Sequence, residues 1–122
     1  MGVPPGSRDA SFDARRPAQH PQTLVVTIAG RIDRSDAARF AMLVDDQLRA
    51  RPARVVLCDV RGLVEPDVAA VDAICRMRLS VRRLGGHLRL WHASLELADL
   101  IDLMGLCDVL STPARSALET SR

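Results

Sequence analysis

Apolar and polar positions follow two periods along the chain, one typical of strands and the other of helices. Short apolar runs at residues 23–29, 54–58 and 87–91 predict three β-strands. Residues 11–15 are a candidate for a further strand at the sheet edge. The second run is continuous and closed by Asp59, the pattern of a strand that is buried on both faces.

Segments with apolar residues at spacings of three and four separate these runs and predict amphipathic helices. Ser35 is placed to cap the first helix, which ends near Ala50 before Pro52. The side chains expected to face inward are Phe40, Leu43, Val44 and Leu48, and those expected to face outward are Asp36, Arg39, Asp45, Asp46 and Arg49.

The second and third helices have clearer boundaries. The second begins after its N-cap Asp67 and ends at Gly85 and Gly86, whereas Ser94 caps the third and Gly105 is placed for a left-handed C-cap. The expected apolar stripes are Ala70, Ile74, Met77, Val81 and Leu84 in the second helix, and Leu97, Leu100, Ile101 and Met104 in the third.

This alternation predicts an α/β fold, a small mixed and mostly parallel sheet with amphipathic helices packed on it. A short strand at residues 109–110 and a helix at 113–119 are expected to complete the chain. Residues 1–10, rich in Gly and Pro, predict a disordered tail, which leaves one domain over residues 11–122.

Composition narrows the function classes. All 17 basic residues are arginine, which excludes a Schiff-base, Walker-A or kinase lysine. A net charge of +2 and an aromatic content of 2% argue against nucleic-acid binding. No apolar stretch is long enough to span a membrane, and the N-terminus lacks the apolar core of a signal peptide. We therefore expect a cytoplasmic protein that does not insert into membranes.

Side chains with catalytic or metal-binding chemistry are few and scattered. The candidates are Cys58, Cys75, Cys107, His20, His87 and His92. The three cysteines are an odd number and lack CxxC spacing, so they are expected to be reduced. A redox switch would need two of them close together. The histidines do not form a metal-ligand set, and Asp59 lacks the partners of a phosphate-receiver site. We expect no catalytic residue, no metal and no cofactor.

The second helix also carries basic residues away from its apolar stripe. They are Arg76, Arg78, Arg82 and Arg83. This surface is compatible with an anionic lipid or an acidic partner, but the favoured interpretation is a solvated face that is offset by Asp72 and nearby acids.

Four segments in order resemble STAS domains, the fold of bacterial anti-sigma factor antagonists and of sulfate-transporter cytoplasmic tails. The segments are VVTIAGRID at 25–33, RVVLCDVRGLVEPD at 54–67, RRLGGHLRLWHAS at 82–94 and LADLIDLMGLCDVL at 97–110. They correspond to a strand ending in Gly-x-Leu-Asp, a strand and loop leading to an Asp, a Gly-Gly turn before a strand, and a late helix followed by a last strand. The resemblance covers residues 11–120.

The resemblance implies a regulatory turn at Asp67. In regulatory members this turn reads Asp-Ser-Ser-Gly, and a partner kinase, itself the anti-sigma factor, phosphorylates the second Ser. Here Asp67 matches, but Val68, Ala69 and Ala70 stand at the following positions, with Ala69 at the phosphorylated Ser. The usual phospho-switch is therefore not expected to operate.

The function implied by the resemblance is recognition of a protein partner without catalysis. We expect a partner such as an anti-sigma factor or a related regulator, and the oligomeric state stays open. The expected partner-binding residues are Asp33, Arg61, Glu65, Asp67, Val68, Ala69 and Asp72. Three alternatives remain: a STAS subunit of a transporter or lipid-transport complex, a sensor of a small molecule or nucleotide, and a homologue that cannot be phosphorylated and sequesters its partner constitutively.

Overall fold

The structure, a computed structural model, describes residues 10–105 of the chain. Strands and helices alternate along this part, which confirms the predicted α/β fold. The elements are β1 (Ser11–Arg15), β2 (Thr23–Gly30), α1 (Arg34–Ala50), β3 (Val55–Leu63), α2 (Val68–Arg83), β4 (His87–Trp91) and α3 (Leu95–Leu103). Most of the predicted N-terminal tail, the predicted strand at 109–110, the helix at 113–119 and Cys107 lie outside the described residues.

The sheet has the strand order β1-β2-β3-β4. β1 pairs antiparallel with β2, whereas β2, β3 and β4 run parallel. Two parallel strands in sequence need a crossover, and α1 and α2 provide it. The N-termini of both helices therefore follow the carboxyl ends of β2 and β3 and lie at the same end of the parallel strands.

One face of the sheet carries the core. The helices cover this face with side chains that are almost completely removed from water, among them Phe40, Ile74 and Met77. The strand residues beneath them are Leu24, Val26, Ile28, Val56, Cys58, Val60, Leu88 and Leu90. Aliphatic packing predominates because the chain holds few aromatic residues, and Phe12 of β1 contacts Phe40 at a centroid distance of 5.6 Å.

β3 differs from its prediction in two respects. It is buried on one face only, since Val55, Leu57 and Asp59 on the other face are half-buried. It also continues to Leu63 instead of ending at Cys58. The helices of the described part add to the core on a single face, and a parallel strand is fully buried only where helices cover both.

A bulge lies in the extension of β3. Asp59 lies opposite Thr27 and Gly62 lies opposite Ala29, so two residues of β3 face Ile28 alone. A Cβ atom on Gly62 would lie 2.8 Å from the Cβ atom of Ala29, closer than real side-chain contacts allow. A glycine is therefore required at this position by the neighbouring strand.

The Gly-Gly stop of α2 is confirmed. α2 ends at Arg83, and Gly85 adopts a φ of 85°, in the left-handed region that glycine tolerates. Gly86 then leads directly into β4, where the His87 N–H donates to the Arg54 carbonyl at 2.9 Å. No helix among residues 10–105 is long and apolar enough to cross a membrane.

Gly62→Ala is expected to destabilise the domain by about 1–3 kcal/mol, because the new methyl group overlaps that of Ala29. Urea unfolding followed by circular dichroism measures this change. The double variant Gly62→Ala/Ala29→Gly moves the methyl group to the other strand and should recover part of the loss. A single variant as stable as the wild type would contradict the packing argument.

Candidate functional site

α2 begins at Asp67, as predicted. Asp67 has extended backbone angles, and its Oδ1 atom accepts hydrogen bonds from the N–H groups of Ala69 at 3.0 Å and Ala70 at 3.4 Å. This is the geometry of an N-cap, which satisfies donors that the helix itself leaves unpaired. The Oδ2 atom of Asp67 makes no hydrogen bond with any described residue, and the side chain is exposed. Capping and partner contact can thus use different oxygens.

The N-cap of α1 is Asp33, which corrects the prediction of Ser35. Asp33 and Asp36 form a capping box, in which each carboxylate accepts the other's backbone N–H at 2.9–3.1 Å. The Ser35 hydroxyl instead donates to Asp33 Oδ1 at 2.7 Å. Both residues are good caps by type, but only Asp33 has an acidic residue three positions later to complete the box.

Asp36 is buried rather than outward-facing, with 8% of its surface exposed. Its carboxylate is satisfied by the Asp33 N–H and by Arg39, whose Nη2 atom lies 2.7 Å from Oδ1. The pKa of Asp33 is lowered, first by the hydrogen bond from Ser35 and then by the Asp36 N–H. The loop before α1 therefore carries an ionised, solvent-exposed carboxylate at neutral pH.

The β2–α1 loop and the start of α2 meet across a groove of about 750 Å³. It brings together three of the predicted residues, Asp33, Asp67 and Ala69. The other lining residues are Ala10, Arg31, Ile32, Arg34, Asp36 and Arg39. An exposed ion pair of 2.9 Å between Arg31 and Glu65 ties this loop to the loop that precedes α2.

A second groove, of about 360 Å³, lies on the other side of Asp67. α3 forms its far wall with Leu100 and Leu103, and the carboxylates of Glu96 and Asp99 border it. Val68 and Leu103 are exposed to 61% and 83%, large values for apolar side chains. α2 thus starts between a polar groove and an apolar groove that has acidic borders.

Met104 corrects a further prediction. It was expected in the apolar stripe of α3, but it is 47% exposed and borders a third groove with Val68, Ala69 and Asp72. Asp72 in turn pairs with Arg76 at 3.1 Å. We call the combined surface the docking face. The residues that line it are Asp33, Asp67, Val68, Ala69, Asp72, Glu96, Asp99, Leu100, Leu103 and Met104, and Glu65 adjoins it through its ion pair with Arg31.

The comparisons with known proteins agree with this architecture. The family model of the STAS domain matches residues 15–120. The chain belongs to the STAS domain family. No match was found among curated protein sequences.

Solved structures share the fold of this STAS domain at low sequence identity. The unphosphorylated anti-sigma factor antagonist SpoIIAA is 12% identical, with a TM-score of 0.67 over 91% of this chain and 96% of that one. An anti-sigma factor antagonist from Mycobacterium paratuberculosis is 15% identical, with a TM-score of 0.67 over 98% and 97%. The Bacillus SpoIIAA in its phosphorylated form is 13% identical, with a TM-score of 0.63 over 92% and 100%.

Arg61, a predicted partner-binding residue, does not border the grooves of the docking face in this STAS domain. It lies within β3, and its Nη2 atom lies 2.7 Å from Nε2 and 3.0 Å from Nδ1 of His92. Nδ1 of His92 is also 3.2 Å from Asp59 Oδ1, which accepts the Arg61 N–H at 3.0 Å. We call Asp59, Arg61 and His92, with Trp91 stacked on His92, the histidine cluster.

The histidine cluster fixes the ends of β3 and β4 to each other. Partial burial of Asp59 opposes its ionisation, but the hydrogen bonds from the Arg61 N–H and His92 and the electrostatic effect of the His92 and Arg61 side chains outweigh it, so the pKa of Asp59 is lowered. His92 has a φ of 65°, rare for a residue with a side chain, which these contacts stabilise. Their arrangement indicates a structural role for Asp59.

The described cysteines offer no reactive thiol pair. Burial, with a further effect from the charge of Asp59, raises the pKa of Cys58 to about 12. A thiol with such a pKa remains protonated at neutral pH and is a poor nucleophile. Cys75 lies half-buried on α2. Residues 10–105 also hold no group of three or more side chains suited to bind a metal ion.

The lowered pKa of Asp59 predicts a pH-dependent contribution to stability. Its carboxylate stabilises the fold above the ordinary aspartate pKa of about 3.9, and this stabilisation is lost as the pH falls through the lower folded-state value. The difference in unfolding free energy between the wild type and Asp59→Asn should therefore shrink below about pH 4. Urea unfolding followed by Trp91 fluorescence measures it, with Asp13→Asn on β1 as the exposed control. A difference that stays constant with pH would argue against this role.

Proposed function

We propose that this STAS domain is a non-catalytic, cytoplasmic regulator that binds an anti-sigma factor, or a related regulatory protein, through the docking face. The observation that carries the proposal is the pair of exposed apolar residues, Val68 and Leu103, placed beside the unused carboxylate oxygen of Asp67. Its structural neighbours are named as anti-sigma factor antagonists, which supports a partner of this class.

The docking face has the composition of a protein-binding surface. Val68, Leu100 and Leu103 provide an apolar centre, and Glu96 and Asp99 provide a charged border. Protein interfaces commonly combine an apolar centre that loses its water with a polar rim that sets orientation. The acidic border favours a partner that presents arginine or lysine side chains around an apolar patch.

Regulation by phosphate at this turn is not available to the chain. Ala69 has a methyl group where the resemblance places the phosphorylated hydroxyl, and its N–H is already engaged by Asp67. A phosphate there would add about −1.5 to −2 charges beside Asp67. Without it, we infer a domain that binds its partner constitutively, so that the amounts of the two proteins determine how much complex forms.

Substitutions at Ala69 test the proposal. The partner is an anti-sigma factor encoded in the same genome, and calorimetry measures its affinity for the purified domain. Ala69→Glu places a longer, charged side chain at the predicted contact and should weaken binding by about tenfold or more, because it disrupts close packing there and because a charge removed from water without a partner is costly. Ala69→Ser, the matched control, should bind as the wild type and should become a substrate if the anti-sigma factor is a kinase.

Several outcomes would contradict this function. One is the absence of binding between the wild type and any of the anti-sigma factors tested. Another is equal binding by Ala69→Glu and Ala69→Ser, which would place the contact elsewhere. Phosphorylation of the wild type on Ser35, Ser80 or Ser94 would contradict constitutive binding.

Asp67→Asn separates the two roles of Asp67. Asparagine caps helices about as well as aspartate, so the free energy of unfolding should change by less than about 0.5 kcal/mol. The affinity for the anti-sigma factor should still fall, because the negative charge beside the apolar groove is removed. Denaturant unfolding and calorimetry on the same preparations provide the two readings. An unchanged affinity would restrict Asp67 to capping.

A further inference from the structure

The C-terminal half of α2 and β4, the outermost strand of the sheet that residues 10–105 form, enclose a basic groove that is separate from the docking face. Its volume is about 240 Å³. The lining residues are Arg78, Arg82, His87, Leu88 and Arg89, and no carboxylate of the described residues is among them. We propose that this surface, the arginine groove, binds the phosphate group of a phosphorylated ligand.

Two independent elements bring the positive charges together. Arg78 and Arg82 are four residues apart on α2 and therefore lie on the same side of the helix. His87 and Arg89 lie on either side of Leu88 in β4, and both side chains leave the strand on the face away from α2, so the groove runs along the outer margin of β4 between the two sets of side chains. Arg82 and Arg89 are exposed, so their guanidinium groups are accessible to a ligand. A guanidinium presents parallel N–H donors that match two oxygens of a phosphate.

The charge pattern of the groove departs from that of the other helical arginines. Several arginines pair with a carboxylate three or four residues earlier on the same helix. These pairs are Arg39–Asp36, Arg49–Asp45 and Arg76–Asp72. At the corresponding position before Arg82 the chain has Arg78, so the helix itself gives Arg82 no carboxylate of this kind.

The helix dipole explains only part of this accumulation. Positive side chains in the last turn of a helix are stabilised by the partial negative charge there, which accounts for Arg82 and Arg83. It does not account for Arg89, which belongs to β4 and yet borders the same groove. A ligand that needs several donors at once accounts for both.

The backbone of β4 adds a donor to the groove. The His87 N–H points toward β3, where it donates to the Arg54 carbonyl. Successive residues of a strand direct their N–H groups to opposite sides, so the Leu88 N–H points away from β3 toward the outer edge of the described sheet. Leu88 lines the groove. A fixed N–H between flexible arginines gives a phosphate oxygen a defined position.

The size of the groove suits a small anionic group. Pockets for drug-sized molecules commonly measure about 300–1,000 Å³, and this groove is smaller. It therefore suits one or two phosphates, which a free phosphorylated metabolite or the headgroup of an anionic lipid could supply. The shared chemistry is the phosphate, and the test below separates the two sources.

Binding of pyrophosphate to the full chain, measured by calorimetry, tests the proposal. Each of Arg82→Gln and Arg89→Gln should weaken binding by about tenfold, because each removes a charge-assisted hydrogen bond. The matched control is Arg15→Gln/Arg51→Gln, which removes two exposed arginines elsewhere and lowers the net charge from +2 to 0, as Arg82→Gln/Arg89→Gln does. The control should bind pyrophosphate as the wild type does.

Co-sedimentation with phosphatidylcholine vesicles that contain phosphatidylglycerol separates the sources. Binding of both probes, lost in Arg82→Gln/Arg89→Gln, supports a lipid headgroup, and binding of pyrophosphate alone supports a free ligand. The proposal is overturned if the wild type binds neither probe, or if Arg82→Gln/Arg89→Gln keeps the wild-type affinities. It is also overturned if the control loses as much affinity, since net charge alone would then explain the binding.

Discussion

The carboxylate caps at Asp33 and Asp67 are the interactions on which the arrangement of the candidate site depends. In a parallel sheet the helices of successive crossovers begin at the same edge, so α1 and α2 both start near the carboxyl ends of their strands. The first turn of each helix has backbone N–H groups without a partner in the helix. An aspartate of the preceding loop accepts hydrogen bonds from some of these groups in both helices. The two caps thereby fix the β2–α1 loop and the β3–α2 loop, which are distant in sequence, on the two sides of one groove. A cap contributes about 1 kcal/mol to stability, and the position of the site follows from the same hydrogen bonds.

The sequence predicted the parts of this arrangement that local patterns determine. Asp67 follows a proline and precedes an apolar stripe, so only one position suits the cap of α2. The cap of α1 was assigned to Ser35 because Asp33 and Ser35 are both favourable residue types, and the capping box with Asp36 decides between them. The extension of β3 was missed since Arg61 and Gly62 resemble a turn, whereas Gly62 in fact accommodates the methyl group of Ala29. That constraint comes from a neighbouring strand, which a local pattern does not reveal.

The outer surface of α3 shows why part of the site escaped sequence reasoning. Periodicity places Leu97 and Ile101 in the core, and the structure buries both. The same periodicity assigned Met104 to the core, yet it lies beside Val68 at the docking face. An apolar residue at the border of a stripe has the same sequence signature whether it packs inward or contacts a partner. Its exposure is determined by where α3 lies relative to α2, which is a tertiary property.

The two ends of α2 have opposite chemistry, and the helix dipole favours this division. Asp67 lies at the N-terminus, where negative charge is stabilised, and Arg82 and Arg83 lie in the last turn, where positive charge is stabilised. Asp67 and Arg82 lie about 22 Å apart along the axis of α2. At this distance salt screens a direct charge interaction between these two side chains. An effect of an anion in the groove on partner binding would therefore have to pass through the packing of α2, whose buried side chains Val71, Ile74, Met77 and Val81 form part of one continuous core. A rigid helix in such a core transmits a change only if it has two alternative positions, so the physical expectation is that the two surfaces bind independently.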